Sequence, residues 1–338
     1  MQNRKKFIKV FMIPILLCLC LFLTGCGKEA KLEDNSTILT LNDGEIKADA
    51  LYNELKERYG INILIDLLDH QILDEKYPTT EEETTSIDSQ ISMMKSQYNN
   101  DEDTFLAAIQ QYLGVRDEDE LRDMLSLEFK RNEAVEDYIK DHISDDEVNE
   151  YYNNEIVGDM QVRHILIKPD TNQDMSQEEQ DAAEQAAKEK AEDLIRQLDE
   201  GADFQELAKE YSDDTGSASD GGFIDYFNKD SNMDEAFYEA SKNLEVGKYT
   251  EEPVKSTYGY HIILKEDQKD KPTLEDVKES ILEDLMQEKM DNDSTLYYQT
   301  LIDVRADAGL EFQDDGLKQQ YDDLMNRLIE NARNSSAS

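Results

Sequence analysis

The chain has 338 residues and a formal net charge of −44, from 35 lysines and arginines against 79 aspartates and glutamates. Nucleic-acid-binding proteins carry a basic surface for the phosphate backbone, so this charge excludes that class. The length exceeds what one hydrophobic core usually serves, and we therefore expect more than one domain.

The first segment has the pattern of an export signal. A basic stretch is followed by an apolar run without any charge between Val10 and Gly27. The run is short for a membrane-spanning helix and ends in small residues, as cleaved signal peptides do. It closes with Leu-Thr-Gly-Cys at residues 23–26, which resembles a bacterial lipobox, where cleavage precedes the cysteine and its thiol receives a lipid. We predict a lipoprotein signal peptide at residues 1–25 and lipid attachment at Cys26, and an ordinary signal peptide or anchor is the alternative.

The cysteines agree with this interpretation. Cys18, Cys20 and Cys26 are the only three, so the mature chain has no disulfide, cysteine-ligated metal or cysteine nucleophile. Residues 26–37 form a polar tether, and the eleven residues from Gly27 to Thr37 reach about 18 Å if they are flexible. We expect the protein at the extracytoplasmic face of the cell membrane, held there by the lipid.

Residues 38–157 have the pattern of a helical domain. Apolar residues recur there at helical spacing after a short extended stretch. Thr80 with Glu83, and Ser144 with Glu147, have the spacing of capping boxes, which begin helices.

The period changes to an alternating one at Gln161, which indicates a strand. Strand and helix patterns then alternate up to Lys265, so residues 158–266 are predicted to form an α+β unit. A second helical part follows at residues 267–330. We expect it to dock on the N-terminal helices through one apolar stripe, formed by Leu274, Val277, Ile281 and Leu285. The polar residues 331–338 are predicted to be a disordered tail.

The chain has four histidines. His70 and His142 lie in helical stretches without a partner signal. His164 and His261 lie on the first and last strands of the α+β unit. A pair of histidines on neighbouring strands is a candidate site.

The sequence around these histidines resembles the parvulin-type peptidyl-prolyl isomerases across about residues 159–265. The matching stretches are Val-Arg-His-Ile-Leu at 162–166, Phe-Gln-Glu-Leu-Ala at 204–208, Ser-Asp-Asp at 212–214 with Gly221-Gly222, Val246-Gly247, and Tyr-Gly-Tyr-His-Ile-Ile at 258–263. With the lipobox and the helical flanks, the layout resembles the PrsA-type foldase lipoproteins of Gram-positive bacteria, and residues 39–44 resemble the start of the SurA-type chaperone segment. The resemblance implies an α+β fold, in which a parvulin (FKBP-like) antiparallel sheet with helices is inserted in a mostly helical SurA/PrsA-like chaperone domain.

The resemblance also implies a catalytic set and a proline pocket. The paired histidines fall on His164 and His261, the acidic position of the family on Asp214, and its hydroxyl position on Ser256. The apolar residues of the pocket fall on Ile224, Met233 and Phe237. No metal or other cofactor is implied.

Two positions depart from the family pattern. Asp225 stands where the family usually has glycine, and Lys242 stands where an aromatic residue is expected near the end of the pocket helix. Both departures concern the rim of the predicted pocket, and neither concerns the fold.

The implied function is cis/trans isomerisation of X-Pro bonds in unfolded or partly folded exported proteins, combined with chaperone activity of the helical parts. The alternative is a non-catalytic holdase whose parvulin unit only binds clients. A solute-binding lipoprotein would need two α/β lobes, which the helical flanks do not supply.

Two other motifs compete weakly. The triplet Asp-Thr-Gly at residues 214–216 occurs in aspartic proteases, but there it follows an apolar strand and occurs in two copies. Asp170, Asn172 and Asp174 have the spacing of a calcium loop, but Met175 stands where that loop needs glycine.

Overall fold

The computed structural model describes residues 35–172 and 174–335, and the signal peptide and Cys26 lie outside that range. The chain divides into two compact units. Of the described residues, those up to 141 and those from 288 onward form one unit, and those between 142 and 287 form the other. None of the helices in the described part of the chain is long and apolar enough to cross a membrane.

The described residues form eleven α-helices, two short 3-10 helices and six strands. The helices are α1 (Ala48–Lys76), α2 (Glu81–Gln97), α3 (Glu102–Tyr112), α4 (Glu118–Asp141), α5 (Asp145–Glu155), α6 (Gln177–Asp199), α7 (Phe204–Tyr211), α8 (Glu235–Asn243), α9 (Leu274–Asn292), α10 (Leu296–Asp307) and α11 (Asp315–Ser335). The strands are β1 (Thr37–Leu41), β2 (Gly44–Lys47), β3 (Met160–Ile167), β4 (Phe223–Phe227), β5 (Val254–Ser256) and β6 (Gly259–Gln268).

Both predicted capping boxes are confirmed. The Thr80 hydroxyl accepts a hydrogen bond from the Glu83 N–H, and the Glu83 carboxylate accepts one from the Thr80 N–H, at the start of α2. Ser144 and Glu147 make the same reciprocal pair at the start of α5. Each box satisfies backbone donors that the first helical turn leaves without partners.

The first unit contains helices from both ends of the chain. Ile65 of α1 packs with Tyr321 and Met325 of α11. Gly60 allows a close approach of these helices, because a Cβ atom there would lie 3.3 Å from Leu317 of α11. The helix α11 continues to Ser335, so it extends into the segment predicted to be a disordered tail.

The second unit is built on a four-stranded antiparallel sheet in the order β4-β3-β6-β5. One face of this sheet is covered by α6 and α7 through apolar residues that include Ile165 and Ile262. The opposite face carries Val162 and Ile263 and packs against Phe237 of α8. The two central strands therefore have both faces buried.

The compact second unit extends beyond the predicted limits of 158–266, because it includes α5 and most of α9. The Tyr151 hydroxyl of α5 donates to Asp284 of α9 at 2.6 Å, and the Tyr152 hydroxyl donates to the carbonyl of Pro272 at 2.8 Å. Ile281, from the stripe expected to dock on the N-terminal helices, is buried and belongs to this second unit. The same unit includes α5, the last helix of the predicted N-terminal part at 38–157, so docking of the stripe on those helices stays a prediction.

Candidate active site

The pairing of β3 with β6 brings two histidines together. His164 lies opposite Ile263 and His261 lies opposite Leu166, so the histidines are diagonal neighbours on the same face of the sheet. Their rings are stacked with centroids 5.4 Å apart, and the two Nδ1 atoms are 3.1 Å apart. Both residues are 5% exposed. The predicted proximity of the two histidines is therefore present.

A glycine fixes the backbone beside His164. The His164 N–H donates to the carbonyl of Gly222 at 2.8 Å. Gly222 has a φ of 78°, and a Cβ atom there would lie 2.1 Å from the His164 carbonyl oxygen. Any side chain at this position would displace the strand that carries the histidine.

The loop after α7 supplies a carboxylate and a hydroxyl to the same ring. Asp214 Oδ2 lies 2.8 Å from His164 Nε2, and Ser217 Oγ lies 3.1 Å from it. The Ser217 hydroxyl also donates to Asp214. Ser217 was not among the predicted site residues. The available sequence signal was its place three residues after Asp214, and in the structure the Ser217 N–H donates to the Asp214 carbonyl at 3.2 Å in a turn.

Ser256 lies at the other end of the histidine pair. Its Oγ is 2.7 Å from His261 Nε2 and accepts a hydrogen bond from the Tyr258 N–H at 3.0 Å. The four predicted polar residues, His164, Asp214, Ser256 and His261, thus form one continuous network with Ser217. Their roles in catalysis stay predictions.

Burial keeps the histidines neutral. It lowers the pKa of His164, although the Asp214 carboxylate opposes the shift. Burial and the neighbouring His164 lower the pKa of His261 to about 4. Burial acts to raise the pKa of Asp214, but hydrogen bonds from Ser217, His164 and the Gly216 N–H outweigh it and lower that pKa. At neutral pH, Asp214 is ionised and its contact with His164 is a hydrogen bond to a neutral ring.

These protonation states fix which atom carries each proton in the network. Because an ionised carboxylate only accepts, His164 Nε2 must carry a proton and donate it to Asp214. The Nδ1 atom of a neutral His164 then accepts from the Nδ1–H of His261. The remaining Nε2 of His261 accepts from the Ser256 hydroxyl, so the hydrogen bonds run in one direction from Ser256 to Asp214.

The predicted pocket residues lie together beside this network. Phe237 of α8 belongs to the buried apolar cluster of the second unit, with Ile224 and Met233 packed against it. The Phe237 ring lies 5.4 Å from the ring of His164 and 5.2 Å from that of His261, edge-on in both cases. Polar groups and an apolar surface therefore adjoin at one face of the sheet.

Both departures from the family pattern have polar partners outside the apolar cluster. The exposed Asp225 carboxylate accepts a hydrogen bond from the Tyr226 N–H at 2.8 Å. Lys242 donates to Glu155 of α5 at 2.5 Å and pairs with Glu239 at 3.5 Å. Neither charge enters the cluster around Phe237.

The aspartic-protease motif gains no support. Asp214 follows a helix and not the apolar strand of an aspartic protease. Among residues 35–172 and 174–335, no group of three or more histidine, cysteine, aspartate or glutamate side chains is arranged to hold a metal ion.

Comparison with known proteins agrees with the fold. Residues 150–269 match the family described as the PPIC-type PPIASE domain. The antiparallel sheet, the histidine pair and this match define the second unit as a PPIC-type peptidyl-prolyl cis/trans isomerase domain.

The similarity extends over nearly the whole chain. It is 34% identical to Foldase protein PrsA of Geobacillus kaustophilus, over 92% of this chain and 96% of that protein. It is 32% identical to Foldase protein PrsA 4 of Bacillus cereus, over 96% of this chain and 99% of that protein. The chain therefore belongs to the PrsA foldase family.

A solved structure supports the fold class. The crystal structure of foldase protein PrsA from Streptococcus pneumoniae is 18% identical, covers 85% of this chain and 98% of its own, and superimposes with a TM-score of 0.51. At this identity the likeness concerns the fold alone. The predicted class, a parvulin sheet inserted in a mostly helical chaperone-like protein, is confirmed.

Proposed function

We propose that this protein catalyses cis/trans isomerisation of X-Pro bonds in exported proteins and helps them to fold outside the cytoplasmic membrane. The observation that carries the proposal is the continuous network from Ser256 through the two histidines to Asp214, next to the apolar cluster around Phe237. Membership in the PrsA foldase family supports exported proteins as the substrate class.

The barrier to rotation of a peptide bond is about 18–20 kcal/mol, because the C–N bond has partial double-bond character. An enzyme lowers this barrier only through interactions that favour the twisted amide over the planar one. Twisting removes conjugation and with it part of the amide dipole. An apolar surface formed by Ile224, Met233 and Phe237 would hold the proline ring and also favour the less polar, twisted amide.

In this proposal the polar network provides oriented dipoles at the substrate amide. The histidines are neutral and their protons are ordered, so they present fixed dipoles to the amide and need little reorganisation during the rotation. Asp214 fixes the direction of the hydrogen bonds from one end, and Ser256 completes them at the other. No nucleophile or metal takes part in the step.

The first unit has an apolar surface suited to unfolded clients. Large apolar side chains are exposed on the β1–β2 hairpin and along α1: Ile38, Leu39, Leu41, Ile46, Leu51, Leu55, Tyr59, Ile63 and Leu67. Because folded proteins rarely expose so many neighbouring apolar side chains, we assign chaperone binding to this surface.

The proposed location rests on the sequence. The Leu-Thr-Gly-Cys motif ending at Cys26 supports a lipid anchor at the extracytoplasmic face of the membrane. We expect the protein in the membrane fraction, and we expect Cys26→Ala to release it or to leave it unprocessed. Membrane association of a processed Cys26→Ala protein would contradict the lipid anchor.

The decisive experiment is a protease-free isomerisation assay. The protein, expressed from its full sequence and purified in detergent, should accelerate exchange between the cis and trans forms of an X-Pro peptide, measured by NMR. His261→Ala should remove the acceleration and leave suppression of client aggregation intact. If the unsubstituted, folded protein suppresses aggregation but does not accelerate exchange, the non-catalytic holdase is the correct function.

A further inference from the structure

A buried lysine lies on the strand that carries His261. Lys265 is 1% exposed and lies on the same face of β6 as His261 and Ile263, because alternate residues of a strand share a face. Lysine is almost never fully buried without a partner. Burial lowers the pKa of Lys265. Specific contacts must therefore offset the free-energy cost of burying its ammonium group.

The partners of Lys265 are backbone carbonyls at the end of the pocket helix. Its ammonium donates to the carbonyl of Leu244 at 2.9 Å and to that of Lys242 at 3.3 Å. Within the described part of the chain, no carboxylate pairs with it. The last carbonyls of a helix lack partners within the helix and attract positive charge. Lys265 therefore ties the C-terminal end of α8 to β6.

The opposite end of α8 is tied to the same hairpin. One oxygen of Asp234 caps the helix by accepting from the Ala236 N–H at 3.0 Å. The other oxygen accepts from the Thr257 N–H at 3.4 Å and from its hydroxyl at 3.3 Å. Thr257 lies in the turn between β5 and β6, so both ends of α8 are attached to that hairpin.

The position of α8 decides where the pocket lies. The helix has nine residues, too few to be stable without tertiary contacts. It carries Phe237, whose ring touches both histidines. A displacement of α8 by about 1 Å would therefore move the apolar surface away from the polar network and weaken binding of a proline ring between them.

We propose that Lys265 is a positioning residue for prolyl isomerisation. From β6 it holds the C-terminal end of α8 and thereby sets the distance between Phe237 and the His164–His261 pair. The proposal rests on the proposed isomerase function. It predicts that Lys265 acts mainly on binding of the proline ring, since it does not touch the histidines itself.

The test compares Lys265→Met, Lys265→Arg and the control Lys209→Met in the full chain. Methionine has a similar length but leaves both carbonyls without a donor, and arginine keeps the charge and the donors. Lys209 is an exposed lysine on α7, on the other face of the sheet. We expect Lys265→Met to raise KM for an X-Pro peptide about tenfold, equivalent to about 1.4 kcal/mol of binding, with a change in kcat below about threefold.

Lys265→Arg should recover at least half of that loss on a logarithmic scale, and Lys209→Met should match the parent protein. The NMR signals of the His164 and His261 rings should shift in Lys265→Met, because the ring current of Phe237 changes with its distance. Unchanged KM and unchanged histidine signals in folded Lys265→Met would overturn the proposal. If the parent itself is inactive, the proposed function fails, and the histidine signals still test the positioning role.

If Lys265→Met does not fold, Asp234→Asn tests the other attachment. Asparagine keeps one oxygen to cap α8 but replaces the acceptor for Thr257 with an NH2 group. We expect a rise in KM of about threefold, equivalent to about 0.7 kcal/mol, together with shifted histidine signals. A folded Asp234→Asn protein with the parent's KM and histidine signals would show that the attachment of α8 does not set the position of the pocket.

Discussion

Each unit contains a buried polar network, and the two networks differ in charge. In the first, Arg305 of α10 makes two hydrogen bonds of 2.7 and 2.8 Å to Asp69 of α1, and both side chains are 3% exposed. Arg131 of α4 adds a third hydrogen bond to Asp69 at 2.6 Å. In the second, His164 and His261 are buried without formal charge. The network around Asp69 thus buries paired ions, and the network around the two histidines buries neutral rings whose protons are ordered.

The difference separates a structural network from a reactive one. Buried ions must keep their partners, because an unpaired charge in the interior is very costly, so the Asp69 network holds three helices in one arrangement. Neutral histidines need no counter-ion and can therefore border an apolar surface. A substrate amide can be desolvated against such a surface without competition from a fixed ion pair.

The largest effect that tests this comparison is a loss of stability, and we expect it in the first unit. Asp69→Ala leaves Arg305 and Arg131 without their shared carboxylate and should lower the free energy of unfolding of that unit by about 3–5 kcal/mol. The control is Asp66→Ala, because Asp66 also pairs with Arg131 but is 55% exposed, and its loss should cost less than about 1 kcal/mol. Urea denaturation followed by circular dichroism measures both. If the two substitutions lowered the free energy of unfolding equally, burial of the network would add nothing to its contribution to stability.

In the second unit the expected effect is on rate. Replacing either histidine by alanine removes the centre of the ordered network, and we expect kcat/KM for an X-Pro peptide to fall about 100-fold. His70→Ala is the matched control, because His70 lies on α1 in the first unit, where its ring nitrogens pair with Asp74 and Asp123. The idea of a shared network would fail if His164→Ala retained full activity while His261→Ala lost it.

The neutral histidines also predict how stability depends on pH. The pKa of His261 is about 4 in the folded state against an ordinary value of 6.5. Between these values the unfolded chain binds a proton that the folded chain does not, so the second unit should lose stability as pH falls from 6.5 towards 4. The lowered pKa of Asp214 adds a loss in the same direction at still lower pH. Hydrogen exchange of β3 and β6 measures this, and His261→Phe should reduce the slope.

The smallest effect is expected at Ser217. Its hydroxyl helps to keep Asp214 ionised without a counter-ion, which distinguishes this carboxylate from Asp69. Ser217→Ala should raise the pKa of Asp214 and lower kcat/KM about threefold at neutral pH, equivalent to about 0.7 kcal/mol. The acid limb of the pH profile of kcat/KM should move to higher pH. A profile that coincides with that of the parent protein would remove Ser217 from the network.

The sequence by itself determined the local elements and singled out four polar residues that the structure brings together, His164, Asp214, Ser256 and His261. The capping boxes at Thr80 and Ser144 were readable because the atoms that interact are three residues apart. The strands β3 and β6 were readable from alternation, and the motifs around His164 and His261 indicated the isomerase domain. Each of these signals lies within a short stretch of chain.

Only the tertiary structure decided the contacts between distant stretches. Asp69 and Arg305 are 236 residues apart, and no local pattern pairs them. The burial of Ile281 in the second unit and the attachment of Lys265 to α8 likewise depend on how elements dock. Periodicity shows that a helix has an apolar face but does not show which surface covers it, because many surfaces satisfy the hydrophobic effect equally while only one arrangement also satisfies the buried polar groups.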